Sequence, residues 1–124
     1  MNCNSIVQVF FHMTLNIKLY HWQTTSFARH KGSDDLHSTL LDLIDKFVEV
    51  YMGRYDRPDF DGKTFKVSVR ELNDSNVIDV FDEYITFLKY ELPKYTKESD
   101  TDLLNIRDEM LGELNKTKYL FTLN

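Results

Sequence analysis

Five side chains in the first half of the sequence have the types and spacing to hold a metal cation: His21, His30, Asp34, Asp45 and Glu49. His30 and Asp34 are four residues apart, and so are Asp45 and Glu49. On a helix, residues so spaced share one face on neighbouring turns, so each pair can grip one ion. Asp34 and Asp45 are eleven apart, close to three full turns, and both pairs therefore point broadly the same way. Two imidazoles with three carboxylates suit iron, manganese or zinc better than calcium, which takes an all-oxygen shell. Either pair alone would ordinarily be a solvated surface pair; the case rests on the two together.

The same spacing asks for a second copy of the chain. Asp34 and Asp45 are about 16 Å apart along a helix axis, so one chain cannot close both pairs on one ion. The two pairs are symmetric about a point between Thr39 and Leu40. If two such helices cross antiparallel there, each His30–Asp34 pair meets the partner's Asp45–Glu49 pair. A twofold axis then creates two equivalent sites per dimer. His21 ends the preceding helix, and a fold-back brings it towards His30. The expected partners are a second copy, as a homodimer or larger homo-oligomer, and metal ions.

The elements that must position these groups read as helices. From Ser5 to Thr24, Ile6, Val9, Phe10, Met13, Ile17 and Tyr20 recur at helical spacing without Pro or Gly. Phe11, Leu15, Leu19 and Trp22 enrich the other side, so this helix should be buried on more than one face. Phe10, Phe11, Tyr20 and Trp22 are read as core, in part as dimer interface. Ser26 can cap a second helix from Phe27 to Met52, with Gly32 as a weak point costing about 1 kcal/mol relative to Ala. Residues 53–72 carry Pro58, Gly62 and the alternating Phe65, Val67 and Val69, which predicts an extended link with a short strand-like stretch. A third helix from Asp74 should end near Leu92, ahead of Pro93. Ser99 to Asp102 matches a capping arrangement for a fourth, which carries Leu103, Ile106, Met110, Leu114 and Phe121.

Short first and third links imply two antiparallel hairpins. The middle link, with about twenty residues, can span over ~60 Å when extended, more than the roughly 39 Å of a 26-residue helix. The fold class is therefore all-α, a single-domain four-helix bundle over 1–124 with a long crossover between helices 2 and 3.

Composition narrows the function classes. The 124 residues fit one domain, 42% are hydrophobic and 28% charged, and four Gly and two Pro favour long helices over turn-rich sheets. A net charge of −5 without a basic arm gives no electrostatic footprint for nucleic acid. Cys3 is the only cysteine, so no internal disulfide forms, which suits a reducing compartment. No run of eighteen apolar residues is present and residues 1–9 lack a basic n-region. The expectation is no membrane association and a cytoplasmic location. Of the remaining polar groups, His37 reads as a surface or dimer-contact residue and His12 as packing or a helix–helix hydrogen bond. Asp79, Asp82 and Glu83 read as a solvated face, and Glu109 lacks the companion histidine that a second carboxylate site would need.

The stretch from Leu19-Tyr20-His21-Trp22-Gln23 through His30-Lys31-Gly32-Ser33-Asp34 to Asp45-Lys46-Phe47-Val48-Glu49 resembles the Dps branch of the ferritin-like superfamily. That family carries a His-Trp pair ending the first helix, then H-x-x-x-D and D-x-x-x-E on the second. The resemblance implies a ferritin-like bundle, a site between twofold-related subunits, and oxidation of ferrous iron, commonly by peroxide. It implies His21, His30 and Asp34 from one subunit and Asp45 and Glu49 from its partner, with iron bound and zinc or manganese as alternatives. The closing Asn105-Ile106-Arg107-Asp108-Glu109 and Asn115-Lys116-Thr117 stretches also resemble uncharacterised Dps-like proteins of large DNA viruses and phages. A viral source would place the chain in the host cytoplasm or the virion. The rival reading keeps the bundle and drops the redox activity, as in a structural or assembly protein such as a minor virion component.

Overall fold

The computed structural model describes residues 4–123; Cys3 and the first residues of the 1–9 segment considered above lie outside them. Four helices form: α1 (Asn4–Gln23), α2 (Phe27–Arg54), α3 (Val77–Thr86) and α4 (Thr101–Leu120). Among the described residues there is no strand, so Phe65, Val67 and Val69 lie in an extended crossover that finds no β-partner. The chain is an all-α bundle.

Contacts between element ends fix the directions. Ser26 caps α2 through its hydroxyl, which accepts from Arg29 N at 3.2 Å, and α1 and α2 form an antiparallel hairpin. Arg54 at the end of α2 pairs with Asp102 at the start of α4, at 2.8 Å, while Phe121 at the far end of α4 lies against Gly32. α4 therefore runs antiparallel to α2 and parallel to α1. The crossover starts beside the first turn of α1 and finishes beside its last. α3 then returns alongside α4, with Lys118 on Asp82 at 2.6 Å.

The crossover is tied down by a polar stripe that α1 presents every fourth residue. Asn4 exchanges hydrogen bonds with the backbone of Asp59, at 2.6 and 2.8 Å. Gln8 donates to the carbonyls of Thr64 and Lys66, and the Nδ1 of His12 lies 2.9 Å from the Ser68 carbonyl. Buried Asn16 accepts from Arg70 N at 2.7 Å, and the Tyr20 hydroxyl donates to Asp74 Oδ1 at 2.7 Å. An extended segment has no ladder of its own, so these side chains supply partners for its backbone groups and tie it to α1. His12 thus bonds the crossover, not another helix.

The core lies between the four helices. Phe10, Met13, Ile17, Leu40, Phe47, Leu88, Leu103, Met110 and Leu114 are fully or almost fully buried, and Phe10 meets Phe47 edge-on at 5.4 Å. At one end, Phe121 packs on Tyr20 and Phe81, with centroids 5.9 and 5.7 Å away, and the Arg29 guanidinium covers it. Gly32 belongs to this cluster. A Cβ there would stand 3.1 Å from the Phe121 ring, so the glycine permits the ring's close approach and α2 runs through it unbroken.

Three boundaries differ from the sequence reading. α3 begins at Val77, because Asn73 folds residues 73–76 into a turn by accepting from the N–H groups of Ser75 and Asn76. Near Pro93 the helix does not simply end: it widens into a π-turn over Phe87–Glu91 and tightens into a 3-10 turn over Leu92–Tyr95. Leu92 N bonds the Phe87 carbonyl, which leaves the Leu88 carbonyl facing Pro93, a residue without N–H; Arg107 donates to it at 3.1 Å instead. The residue preceding α4 is Asp100 and not Ser99. The Asp100 carboxylate makes no cap bond, because it accepts from Lys97 N and the Tyr55 hydroxyl and forms an ion pair with Arg54 at 3.5 Å.

α1 is also less buried than its sequence predicts. Phe10 and Tyr20 are core, but Phe11 and Trp22 are exposed, as is Leu15. These three share one face of α1 with Lys18. Asp79, Asp82 and Glu83 are exposed as expected, with Glu83 paired to Arg70.

Candidate metal centre

His21 is the last ordered turn of α1 and His30 the first turn of α2; the three-residue link forces their backbones together. Each imidazole donates from Nδ1 to the other residue's carbonyl: His21 to His30 O at 2.7 Å, His30 to His21 O at 2.8 Å. The rings stack with centroids 3.8 Å apart. A carbonyl oxygen can only accept, so each Nδ1 carries its proton, and in the neutral tautomer this selects, the lone pair is on Nε2. The reciprocal bonds also satisfy a carbonyl in the last turn of α1 that has no helical partner. Ser33 reinforces the arrangement, its hydroxyl donating to His30 O at 3.1 Å. Outer partners that fix the tautomer and ring plane in this way are what metal-binding imidazoles require.

Asp34 stands beside His21. Its Oδ1 lies 4.0 Å from His21 Nε2, within the span of two metal–ligand bonds of about 2.1 Å each. The Lys18 ammonium sits 3.6 Å from the same oxygen. His21 is buried, His30 half-buried and Asp34 exposed, so the cluster opens outward from the helix pair. Two oriented imidazoles and a carboxylate thus stand near the α1–α2 turn, but within one chain they do not enclose a cation.

Asp45 and Glu49 do not join them. Both are exposed on α2, three turns further on, and neither has an ion-pair partner among the described residues. Among the described residues of one chain, no three His, Cys, Asp or Glu side chains converge closely enough to enclose an ion. His21 thus stacks on His30 and lies near Asp34 without the three closing on one ion, and Asp45 with Glu49 stands apart on the same helix.

Between the two groups lies an open apolar groove of about 380 Å³, lined by Phe11, Thr14, Leu15, Lys18, His37 and Val67. Burial, and then the Lys18 ammonium, hold the His37 imidazole below its usual pKa. Exposed Leu41 and Trp22 extend the apolar surface on α2 and α1. Glu109 lies apart from all this, exposed beside Lys46 and Asp102 in a shallow groove between α2 and α4. Lys18 and Ser33 escaped the sequence reading. Their signal was positional: Lys18 is three residues before His21, and Ser33 three after His30.

Among the described residues no helix is long and apolar enough to cross a membrane. No solved structure matches the chain. It is 29% identical over 118 residues to a protein of Enterobacteria phage T4, described as an uncharacterized 14.6 kDa protein in the mobD-ri intergenic region, over 94% of this chain and 80% of that one. Residues 21–121, from the first candidate ligand to the ring that covers Gly32, match the family described as a family of unknown function (DUF5856), and the chain belongs to that family.

Proposed function

We propose that this chain is a ferritin-like, Dps-like iron-binding protein whose site is completed by a second copy. His21, His30 and Asp34 of one protomer face Asp45 and Glu49 of its partner across a twofold axis, and ferrous iron is the substrate bound between them. The carboxylates neutralise the ion's charge and the two Nε2 lone pairs complete its coordination. Each ferrous ion gives up one electron. One peroxide accepts two electrons and two protons and leaves as two waters, so the two sites of a dimer balance one peroxide. The observation that carries the reading is the reciprocal Nδ1 clasp, which commits both Nδ1 atoms to carbonyls and leaves the two Nε2 atoms available, that of His21 4.0 Å from Asp34 Oδ1. Support also comes from the end-to-end crossover along α1, which matches ferritin-like connectivity. The unpaired Asp45 and Glu49 and the apolar groove midway between the ligand groups add to it.

Complementation between two defective chains tests the reading. Anaerobically purified protein should be dimeric or larger and take up ferrous iron, and Asp34→Ala and Glu49→Ala should each abolish uptake. A 1:1 mixture that has exchanged subunits should recover about a quarter of the sites, since half of the dimers are mixed and each carries one intact site. A monomer, or a mixture with no recovery, refutes the shared site. The exposure of Phe27 (75%) and Trp22 (66%) favours a second reading, a structural or assembly protein that uses this face for packing. That reading predicts a stable oligomer with no iron uptake.

A further inference from the structure

Two hydrogen-bond acceptors confront each other at the head of α2. In the neutral tautomer set by the Nδ1–carbonyl bond, the lone pair of His21 Nε2 faces Asp34 Oδ1, a carboxylate oxygen 4.0 Å away. Lone pairs so placed repel unless a cation stands beside them. The Lys18 ammonium does so, 3.6 Å from that same oxygen and 5.7 Å from the centroid of the Trp22 ring. Neither of the other cations near the hairpin is paired with Asp34. Arg29 is held by the carbonyls of Asp74 and Phe121, and Lys31 lies over Phe27.

We propose that Lys18 is the resident counter-ion of the half-site: its ammonium holds Asp34 until a divalent cation arrives, then yields the carboxylate and moves off towards Trp22 and solvent. The proposal rests on the iron-binding reading and adds a selection step to it. A tethered ammonium is always at high local concentration, so a monovalent ion with the same charge gains nothing by replacing it. A divalent ion, with twice the attraction for Asp34 and access to the imidazole lone pairs, does. Lys18 is thus a positioning and specificity residue, acting through Asp34.

Because Trp22 is the chain's single tryptophan, its emission reports where Lys18 goes. Ferrous iron is titrated anaerobically into the intact protein, following heat and Trp22 emission together. Lys18→Met keeps the apolar stem and removes the charge; it should bind iron about three- to tenfold more tightly and lose the emission change that accompanies displacement. Lys18→Arg, which keeps the charge, should restore both the weaker affinity and the response. Equal affinity and an identical emission response in the wild type and Lys18→Met would overturn the proposal while leaving the iron site standing. Binding by Lys18→Met alone would uphold the role of Lys18 and sink the iron function of the natural chain. Binding by neither would end both.

Discussion

Asn16→Leu should loosen the crossover from α1 without unfolding the bundle. Asn16 is fully buried and nearly the size of leucine, so the substitution opens no cavity of consequence. Its Oδ1 accepts from Arg70 N at 2.7 Å, while its Nδ2 donates to His12 O at 2.6 Å and, at 3.5 Å, to Ser68 O. The His12 bond lies within one helix, and the Ser68 bond is at the limit of a useful contact. Most of the effect therefore falls on the Arg70 amide. Losing its partner costs about 1–3 kcal/mol, so a net loss near 2 kcal/mol is expected, or roughly 8 °C in Tm for a chain of this size. Urea unfolding measures the total, and amide exchange locates it. Protection of the Arg70 N–H should fall to that of its exposed neighbours, while amides in α2 and α4 keep theirs. A change under about 0.5 kcal/mol with the Arg70 amide still protected would refute the idea that the α1 stripe holds the crossover.

Tyr84→Phe should raise stability by about 1 kcal/mol, because the Tyr84 hydroxyl is buried near the Asn16 side chain without a well-formed hydrogen bond among the described residues, and burial pushes its pKa up to about 12. A lower melting temperature would mean that the hydroxyl is bonded. Gly32→Val should lose about 1–3 kcal/mol, since a Cβ would already press on Phe121 at 3.1 Å and valine adds two methyls; an unchanged thermal melt contradicts this. Acid should destabilise the fold through two carboxyls held below their usual range, Asp74 by the hydroxyls of Tyr20 and Thr24 and Asp100 by Lys97 N–H and the Tyr55 hydroxyl. A depressed folded pKa stabilises the protein above the unfolded value of about 3.9, and this is lost as pH falls below it. Unfolding followed by circular dichroism should show a steep loss below about pH 4 that shallows in Asp74→Asn with Asp100→Asn. An acid limb identical to that of the wild type would rule out these two groups.

The sequence made the helices legible because apolar spacing reports burial directly: Ile6, Phe10, Met13 and Ile17, or Leu103, Ile106, Met110 and Leu114, can share a face in no other regular structure. It could not reveal what Gly32 is for, since the ring that needs the space is far away in the chain. The three altered boundaries share a cause. At Asn73, Pro93 and Asp100 a side chain or a missing N–H competes with the helical pattern, and the winner depends on partners such as Arg107 and Tyr55 that spacing does not disclose. The site divides in the same way. The helical repeat already set His30 one turn before Asp34 and kept Asp45 and Glu49 distant. The stacking of His21 on His30 followed only from how tightly the link turns.

That stacking has a consequence for reading relatives of this chain. His21 and His30 each close a main-chain bond across the hairpin, so both have a reason to persist in a descendant that never meets a metal. Their presence elsewhere is ambiguous evidence of ancestry or of use. Asp45 and Glu49 hold no part of the backbone together and have no ion-pair partner among the described residues, and Asp34 is tied to the fold only through Lys18. Inherited chemistry in this lineage should therefore be judged by its acids.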